Sequence, residues 1–384
     1  MNMDERIKRM KSYRHLYEEF ISSENILEAI INASRGKRNR AIMREMYFDT
    51  DYWTPIIQRW ALTFKNPVHH PVEIYDGITR KKRTIVCPTN KEQVIHHMIC
   101  NILKPIFMKG MYKHSYGSIP ERGGLAGKKA IEKWLKHDRK NCKYVLKLDI
   151  KKFFESVPHD ILKANLRRII KDEAFLKILF EVIDASEVGL PLGFYTSQWL
   201  ANWYLQGLDH YIKEELGASH YIRYMDDMVI FGSNKRKLHR MKQEIEKYLN
   251  EKLGLQLNRK WQVFRFDHIK EGKHYGRDLD FMGFRFFCDR TIMRKSIMLK
   301  ASRKARHMKK KRRVNVYDCR QMLSYLGWTS HTNTYGFYTE YIKPNVTVQR
   351  LKRRVSADDK RKDKERKRLY GMEKSREHEQ AART

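Results

Sequence analysis

Asp226 and Asp227 stand side by side in YIRYMDDMVIFG (221–232), a run that is otherwise apolar, β-branched and aromatic. Two like charges held near apolar strands repel each other and lose solvation, at a cost of several kcal/mol. A two-residue hairpin turn favours Asn-Gly or Asp-Gly because it needs positive φ. Met225-Asp226-Asp227 offers no glycine, so the segment is not optimised for folding. A divalent cation removes the electrostatic cost. Mg²⁺ prefers hard carboxylate oxygens and takes one or two from protein, with substrate phosphates and water filling the rest. A third carboxylate, Asp149, ends the apolar run in VLKLDIKKFF (145–154). If the two strand ends lie together, Asp149, Asp226 and Asp227 form the ligand set for two-metal phosphoryl transfer. One ion then lowers the pKa of an attacking hydroxyl and the other steadies the leaving pyrophosphate. The competing reading is a solvated surface turn, which the flanking hydrophobicity opposes.

Net charge names the class of partner. Eighty Lys and Arg against 45 Asp and Glu give +35 over 384 residues. Such a field attracts polyanions, and phosphate backbones are the usual ones. With the carboxylates, it makes a growing nucleic-acid strand plus a nucleoside triphosphate the expected substrate. An anionic membrane would also suit the charge, but no apolar run is long enough to span one. The N-terminal MNMDERIKRMK has no apolar signal core, so a cytoplasmic location is expected. The five cysteines include no CxxC pair and the histidines no HExxH, so spacing gives no zinc pattern.

The surrounding elements must position these residues. The first 65 residues read as helices, with Leu16, Phe20, Ile26, Leu27 and Ile30 at helical spacing. PVEIYDGITRKKRTIVCP (71–88) reads as a hairpin turning at Asp76-Gly77, with Lys81, Lys82 and Arg83 near its tip. Residues 91–110 are helical. A glycine-rich loop opens 115–135, shaped for an anion but matching no known phosphate loop, and passes into an amphipathic helix. Residues 143–157 are a strand leading out to a loop or helix. Residues 191–217 read as one helix capped by Thr196 or Ser197 and ended by Gly217, and another helix runs to Gly254. LQLN (255–258) and FMGFRFF (281–287) read as strands, ASRKARHMKKKRR (301–313) as a basic helix, and 320–343 as a small aromatic helical domain. This order argues for α+β with an antiparallel sheet.

The ordered set of segments from about 70 to 345 resembles the catalytic core of reverse transcriptases, a right hand of fingers, palm (antiparallel sheet) and helical thumb. YMDD (224–227) is similar to the palm hairpin motif of that family. The resemblance implies an N-terminal helical extension at 1–70, fingers at 71–141, palm at 142–290 with fingers helices inserted, thumb at 291–350 and a basic charged tail at 351–384. It implies that Asp149 and Asp226 bind both of two Mg²⁺ ions (Mn²⁺ as a substitute), with Asp227 as a weaker ligand. Phe154 would be the bulky gate that excludes a ribose 2′-OH and favours dNTPs. Arg83 with Lys81, and Arg122 in the glycine loop, would grip triphosphate. Lys260 in LNRKW would protonate the leaving pyrophosphate. Tyr224 and Met225 would face primer or template. Met282, Gly283 and Phe284 would be the primer grip, its glycine allowing close approach to the primer. The 301–313 run and YLGW (325–328) would hold the duplex.

One departure narrows the resemblance. Where the family usually carries Leu-Pro-Gln-Gly and then Ser-Pro, this chain has LPLG (190–193) and TSQ (196–198). Leu192 replaces the glutamine that braces the incoming nucleotide, and Gln198, in the nucleotide site, replaces the proline. The G-x-x-x-S-Q form resembles bacterial enzymes of diversity-generating retroelements and of phage defence. Together with the lack of room after the thumb for RNase H, integrase or HNH endonuclease domains, this implies a stand-alone bacterial enzyme. Its expected partners are a dedicated structured RNA template, dNTPs, the DNA product and a small accessory protein. The alternatives are a template-independent or protein-primed DNA polymerase, and a non-catalytic RNA-binding protein that keeps the fold.

Overall fold

A computed structural model describes the backbone of residues 12–38, 40–75 and 82–381, and their side chains except at 366 and 369–381. By internal packing the chain divides into two compact units, Met1–Ala130 with His137–Arg265, and Ile131–Lys136 with Phe266–Thr384. The break at Phe266 precedes residue 290, where the palm is expected to end. The short strands after it pair with one another.

In the first unit β1 (Val72–Tyr75) and β2 (Lys82–Ile85) form an antiparallel ribbon. The Asp76-Gly77 turn and Lys81 lie outside the described residues. A second sheet holds β3 (Tyr144–Asp149), β4 (His220–Tyr224), β5 (Asp227–Gly232) and β6 (Gln262–Arg265). Its order is β4-β5-β3-β6 with every neighbour antiparallel. Met228–Phe231 are all buried, which explains a continuous apolar run where a half-exposed strand would alternate. Helix Lys235–Leu253 packs on this sheet and buries Leu238, Met241, Ile245, Leu249 and Leu253, one stripe at three- and four-residue spacing. Asn234 caps its first turn through Arg236 N and Lys237 N, and Gly254 ends it at φ +59. Helix Asn90–Met108 starts with a capping box between Thr89 and Glu92 and packs against helices Ser23–Ser34 and Tyr195–Tyr204.

Two local expectations are corrected. The single helix over 191–217 is three pieces, Tyr195–Tyr204, Gln206–His210 and a π turn Tyr211–Glu215, before Gly217 at φ +61. Neither Thr196 nor Ser197 caps it: Phe194 is the N-cap position, and both hydroxyl residues are buried in the first turn. LQLN is not a ladder strand. Leu257 makes one isolated bridge to Ile150, because β6 occupies the paired edge of β3 and LQLN passes beyond its end.

From Phe266 onward the second unit opens with the hairpin β7 (His268–Lys270) and β8 (Lys273–Tyr275). A three-stranded antiparallel sheet follows, from β9 (Leu279–Phe281), β10 (Phe284–Phe286) and β11 (Thr291–Met293). Helices Lys295–Lys310, Val316–Thr329 and Val348–Ala381 share a small core of Ala301, Ala305, Met308, Cys319, Met322, Ile342 and Leu351. The first of these keeps Arg303, Arg306, Lys309 and Lys310 exposed, a basic face along one helix. Buried Asp318 takes ion pairs from Lys304 Nζ at 2.5 Å and Lys311 Nζ at 2.7 Å. Burial works to raise its carboxyl, but hydrogen bonds from these two lysines prevail and hold it at about 2. A depressed carboxyl stabilises the folded state above its unfolded pKa of about 4, and that contribution disappears as pH falls towards 2. Asp318→Asn should therefore lower the melting temperature at neutral pH and flatten the loss of stability between about pH 4 and 2, read by thermal melts across pH. Among the described residues no helix is long and apolar enough to cross a membrane.

Candidate active site

The sheet register brings the carboxylates together. Asp149, the last residue of β3, is the paired partner of Asp227, the first of β5, and Asp227 also pairs with Tyr224 at the end of β4. Met225 and Asp226 form the turn between β4 and β5. Met225 takes the left-handed region at φ +54 without being glycine, a strained choice for a side chain. Asp226 follows in that turn, close enough to Asp227 and Asp149 to feel the charge of both. Burial pushes its carboxyl up to about 7, and the charges of Asp227 and Asp149 push in the same direction. Three acidic groups thus share one strand end at an electrostatic cost, the condition that a divalent cation relieves. Asp149 is held from a second side, since its Oδ2 accepts from Asn258 Nδ2 at 2.7 Å and its carbonyl accepts from Asn258 N at 2.7 Å. Asn258 Oδ1 also accepts from Lys260 N at 3.1 Å, so exposed Lys260 lies two residues from the asparagine that fixes Asp149.

A buried charge network that sequence reading missed sets the turn. Arg223 and Asp209 are fully buried and paired, with Arg223 Nη2 to Asp209 Oδ2 at 2.6 Å and Nε to Oδ1 at 2.7 Å. Tyr221 donates to the same Oδ1 at 2.7 Å. Arg223 Nη1 donates to Asn202 Oδ1 at 3.0 Å and to the Met225 carbonyl at 3.1 Å. Burial works to lower the Arg223 guanidinium, but Asp209 more than offsets it and holds the group above its ordinary value. Two signals were available in the sequence: an arginine inside an apolar strand, and an aspartate within the stripe of 204–212.

The glycine-rich loop packs against the turn. Residues 114–116 run beside β4, with Arg223 N donating to His114 O and Tyr116 N to Arg223 O. A Cβ on Gly117 would come within 2.5 Å of Met225 Cγ, so this glycine makes room for the strained turn. Asn202 Nδ2 closes the seat by donating to Gly117 O at 2.8 Å. Arg122 directs Nη1 to the Tyr112 carbonyl at 2.9 Å and so ties the loop to its own stem.

The remaining residues group as follows. Phe154 is partly buried against the core, and its carbonyl accepts from Leu190 N. Leu192 O accepts from Val86 N at 2.7 Å, which joins the LPLG loop to the end of the β2 arm that carries Arg83. Gly193, at φ +115, sits where a Cβ would meet the Val86 carbonyl at 2.1 Å. Gln198 is exposed on the helix that follows. In the second unit Met282 (φ +51) and Gly283 (φ +85) turn β9 into β10. Phe284 is buried, its ring 4.8 Å from that of Trp328, and a Cβ on Gly283 would strike the same indole at 2.6 Å. Packing against Trp328 of YLGW is therefore a physical reason for this glycine that the sequence did not reveal.

Residues 69–327 match the profile of the family described as reverse transcriptase (RNA-dependent DNA polymerase). The chain belongs to this family. The chain is 26% identical over 234 residues to an uncharacterised 91 kDa protein in the cob intron of Schizosaccharomyces pombe, covering 55% of this chain and 28% of that one. It is 27% identical over 175 residues to the retron Ec73 reverse transcriptase of Escherichia coli, covering 41% of this chain and 52% of the relative. The chain spans less than two thirds of the length of these relatives. Among solved structures, a telomerase from Candida albicans in complex with a fragment of telomeric RNA is similar with a TM-score of 0.45 and 12% identity, covering 76% of this chain and 61% of that one.

Proposed function

We propose that this reverse transcriptase family member is an active RNA-directed DNA polymerase that copies a structured RNA into cDNA. The observation that carries this reading is the strand register that pairs Asp149 with Asp227, with Asp226 in the adjoining turn between β4 and β5. These three would hold two divalent ions, Mg²⁺ with Mn²⁺ as a substitute, which when bound activate the primer hydroxyl and neutralise the departing pyrophosphate. The chain's own residues do the rest. Arg83 and Lys81 contact the triphosphate, and Gln198, beyond the LPLG loop, lies on the nucleotide side. Phe154 stands against the ribose. Lys260 gives a proton to the pyrophosphate. Tyr224 and Met225 line the primer–template side, and the Met282–Gly283 turn with Phe284 behind it supports the primer. The fingers, palm, thumb and basic tail of the sequence reading remain part of this proposal, as does a cytoplasmic setting in a bacterial retroelement or phage-defence system with a dedicated noncoding RNA and a small accessory protein.

The test is primer extension on a defined RNA with dNTPs and Mg²⁺, followed by sequencing of the product. A complementary copy supports the reading. Random or homopolymer DNA, or DNA joined to a protein hydroxyl, replaces it with untemplated or protein-primed synthesis. RNA binding without any DNA product overturns catalysis altogether. A sharper expectation concerns the sugar. Phe154→Val opens space beside the ribose, so incorporation of ribonucleotides relative to deoxynucleotides should rise by roughly 10²-fold, the discrimination that pocket shape gives against one added hydroxyl. Single-nucleotide insertion with paired rNTP and dNTP substrates measures it.

A further inference from the structure

Asp267, His274, Cys288 and Asp289 lie in the second unit and take no part in the proposed polymerase chemistry. Asp267 precedes β7, His274 is the middle residue of β8, and Cys288 and Asp289 belong to the turn between β10 and β11. One donor atom from each lies within 4.8 Å of all the others. Buried Asp267 directs Oδ1 to His274 Nδ1 at 2.9 Å, and its Oδ2 accepts from Cys288 N at 2.9 Å. On the other edge of the imidazole, Nε2 is 3.9 Å from Asp289 Oδ2. Arg290 Nη1 stands 3.2 Å from that nitrogen and 2.9 Å from Asp289 Oδ2.

Three features point to a cation here. The donors are an imidazole, a thiol and two carboxylates, the mixed nitrogen, sulfur and oxygen set that Zn²⁺ accepts and that Mg²⁺ or Ca²⁺ does not select. Tetrahedral zinc with bonds of about 2.0–2.3 Å sets its donors roughly 3.3–3.8 Å apart, so a contraction of about 1 Å completes the shell. Charge also balances: a thiolate and two carboxylates around Zn²⁺ leave one negative charge, and Arg290 is already in place against it. The location gives a reason for the site. Every residue of β8 is exposed, as are two of the three in β7, and a two-stranded ribbon with no covering layer is marginally stable. No spacing rule finds this group, because its donors come from two hairpins and include a single cysteine.

We propose that Asp267, His274, Cys288 and Asp289 form a structural Zn²⁺ site that staples the β7–β8 hairpin to the β10–β11 turn. On binding, the Cys288 thiol releases its proton and the ligating ring nitrogen offers its lone pair, so uptake of zinc releases protons to solvent. To test this, the full chain is stripped with a chelator, loaded with Zn²⁺ or Co²⁺ and desalted. Wild-type protein should retain one more equivalent of Zn²⁺ than Cys288→Ser or His274→Gln, and the same difference should appear in an Asp226→Asn background, which removes the contribution of the proposed catalytic carboxylates. The Co²⁺ form should show a thiolate charge-transfer absorption that Cys288→Ser loses and Cys319→Ser keeps. Absence of that absorption from the wild type, or equal zinc content in wild type and Cys288→Ser, overturns the proposal and leaves a hydrogen-bonded charge cluster closed by Arg290.

Discussion

Asp226→Asn should abolish primer extension and at the same time stabilise the metal-free protein. Loss of the ligand proposed to be shared by both ions would remove several kcal/mol of transition-state stabilisation, so the rate should fall by roughly 10³-fold or more. The stability effect has the opposite sign. Burial and two neighbouring carboxylates raise the Asp226 carboxyl to about 7 in the folded chain, against about 4 when unfolded. The folded state therefore binds this proton more tightly, and the ionised group weakens folding increasingly as pH rises from about 4 through 7. Asparagine removes that penalty, which amounts to a few kcal/mol at most. Above pH 7 the variant should melt higher than wild type in chelator, and the difference should vanish towards pH 4. Added Mg²⁺ should raise the wild-type melting temperature and move the variant's much less. If the variant is no more stable than wild type without metal, the side chain is not under the strain described.

The second large effect belongs to the pair behind the turn. Arg223→Met leaves Asp209 buried without its partner, and Asp209→Asn leaves the guanidinium in the same position. Each should lower stability by roughly 3–5 kcal/mol. Replacing both, as Arg223→Met with Asp209→Leu, removes both charges and should recover much of that loss. Polymerisation should not recover with it. Arg223 Nη1 holds the Met225 carbonyl and Asn202, and without it the strained turn loses the anchor that presents Asp226. Urea unfolding of the single and double variants, alongside kcat and KM for single-nucleotide insertion, separates the two roles. A double variant with restored stability and a normal kcat would confine the pair to folding.

The acidic centre was legible because charge is conspicuous where a strand should be apolar. Asp149 and Asp226-Asp227 stood out for that reason, and antiparallel register then made Asp149 face Asp227. The antiparallel sheet and the helix ended by Gly254 were legible from periodicity and end signals. What surrounds the carboxylates was not. Arg223 and Asp209 are 14 residues apart on a strand and a helix, and nothing in local spacing shows that they meet. Gly117 makes room for Met225, a role hidden in the sequence because a glycine needed for close packing and one needed for a ligand leave the same mark. Thr196 looked like a cap, whereas the helix starts one residue earlier and buries it. LQLN alternates as a strand should, but the edge it would join was already taken by β6. Each of these depends on a neighbour that only the tertiary fold supplies.

The central claim is that Asp149 and Asp226 are held together to share a cation. Anomalous diffraction from Mn²⁺-loaded protein, with an RNA template, a DNA primer and an unreactive dNTP analogue, examines this directly. The account predicts a manganese peak ligated by both carboxylates, with a second ion beside it on the triphosphate. Aspartates turned away from each other, or a peak that touches only one of them, would contradict it.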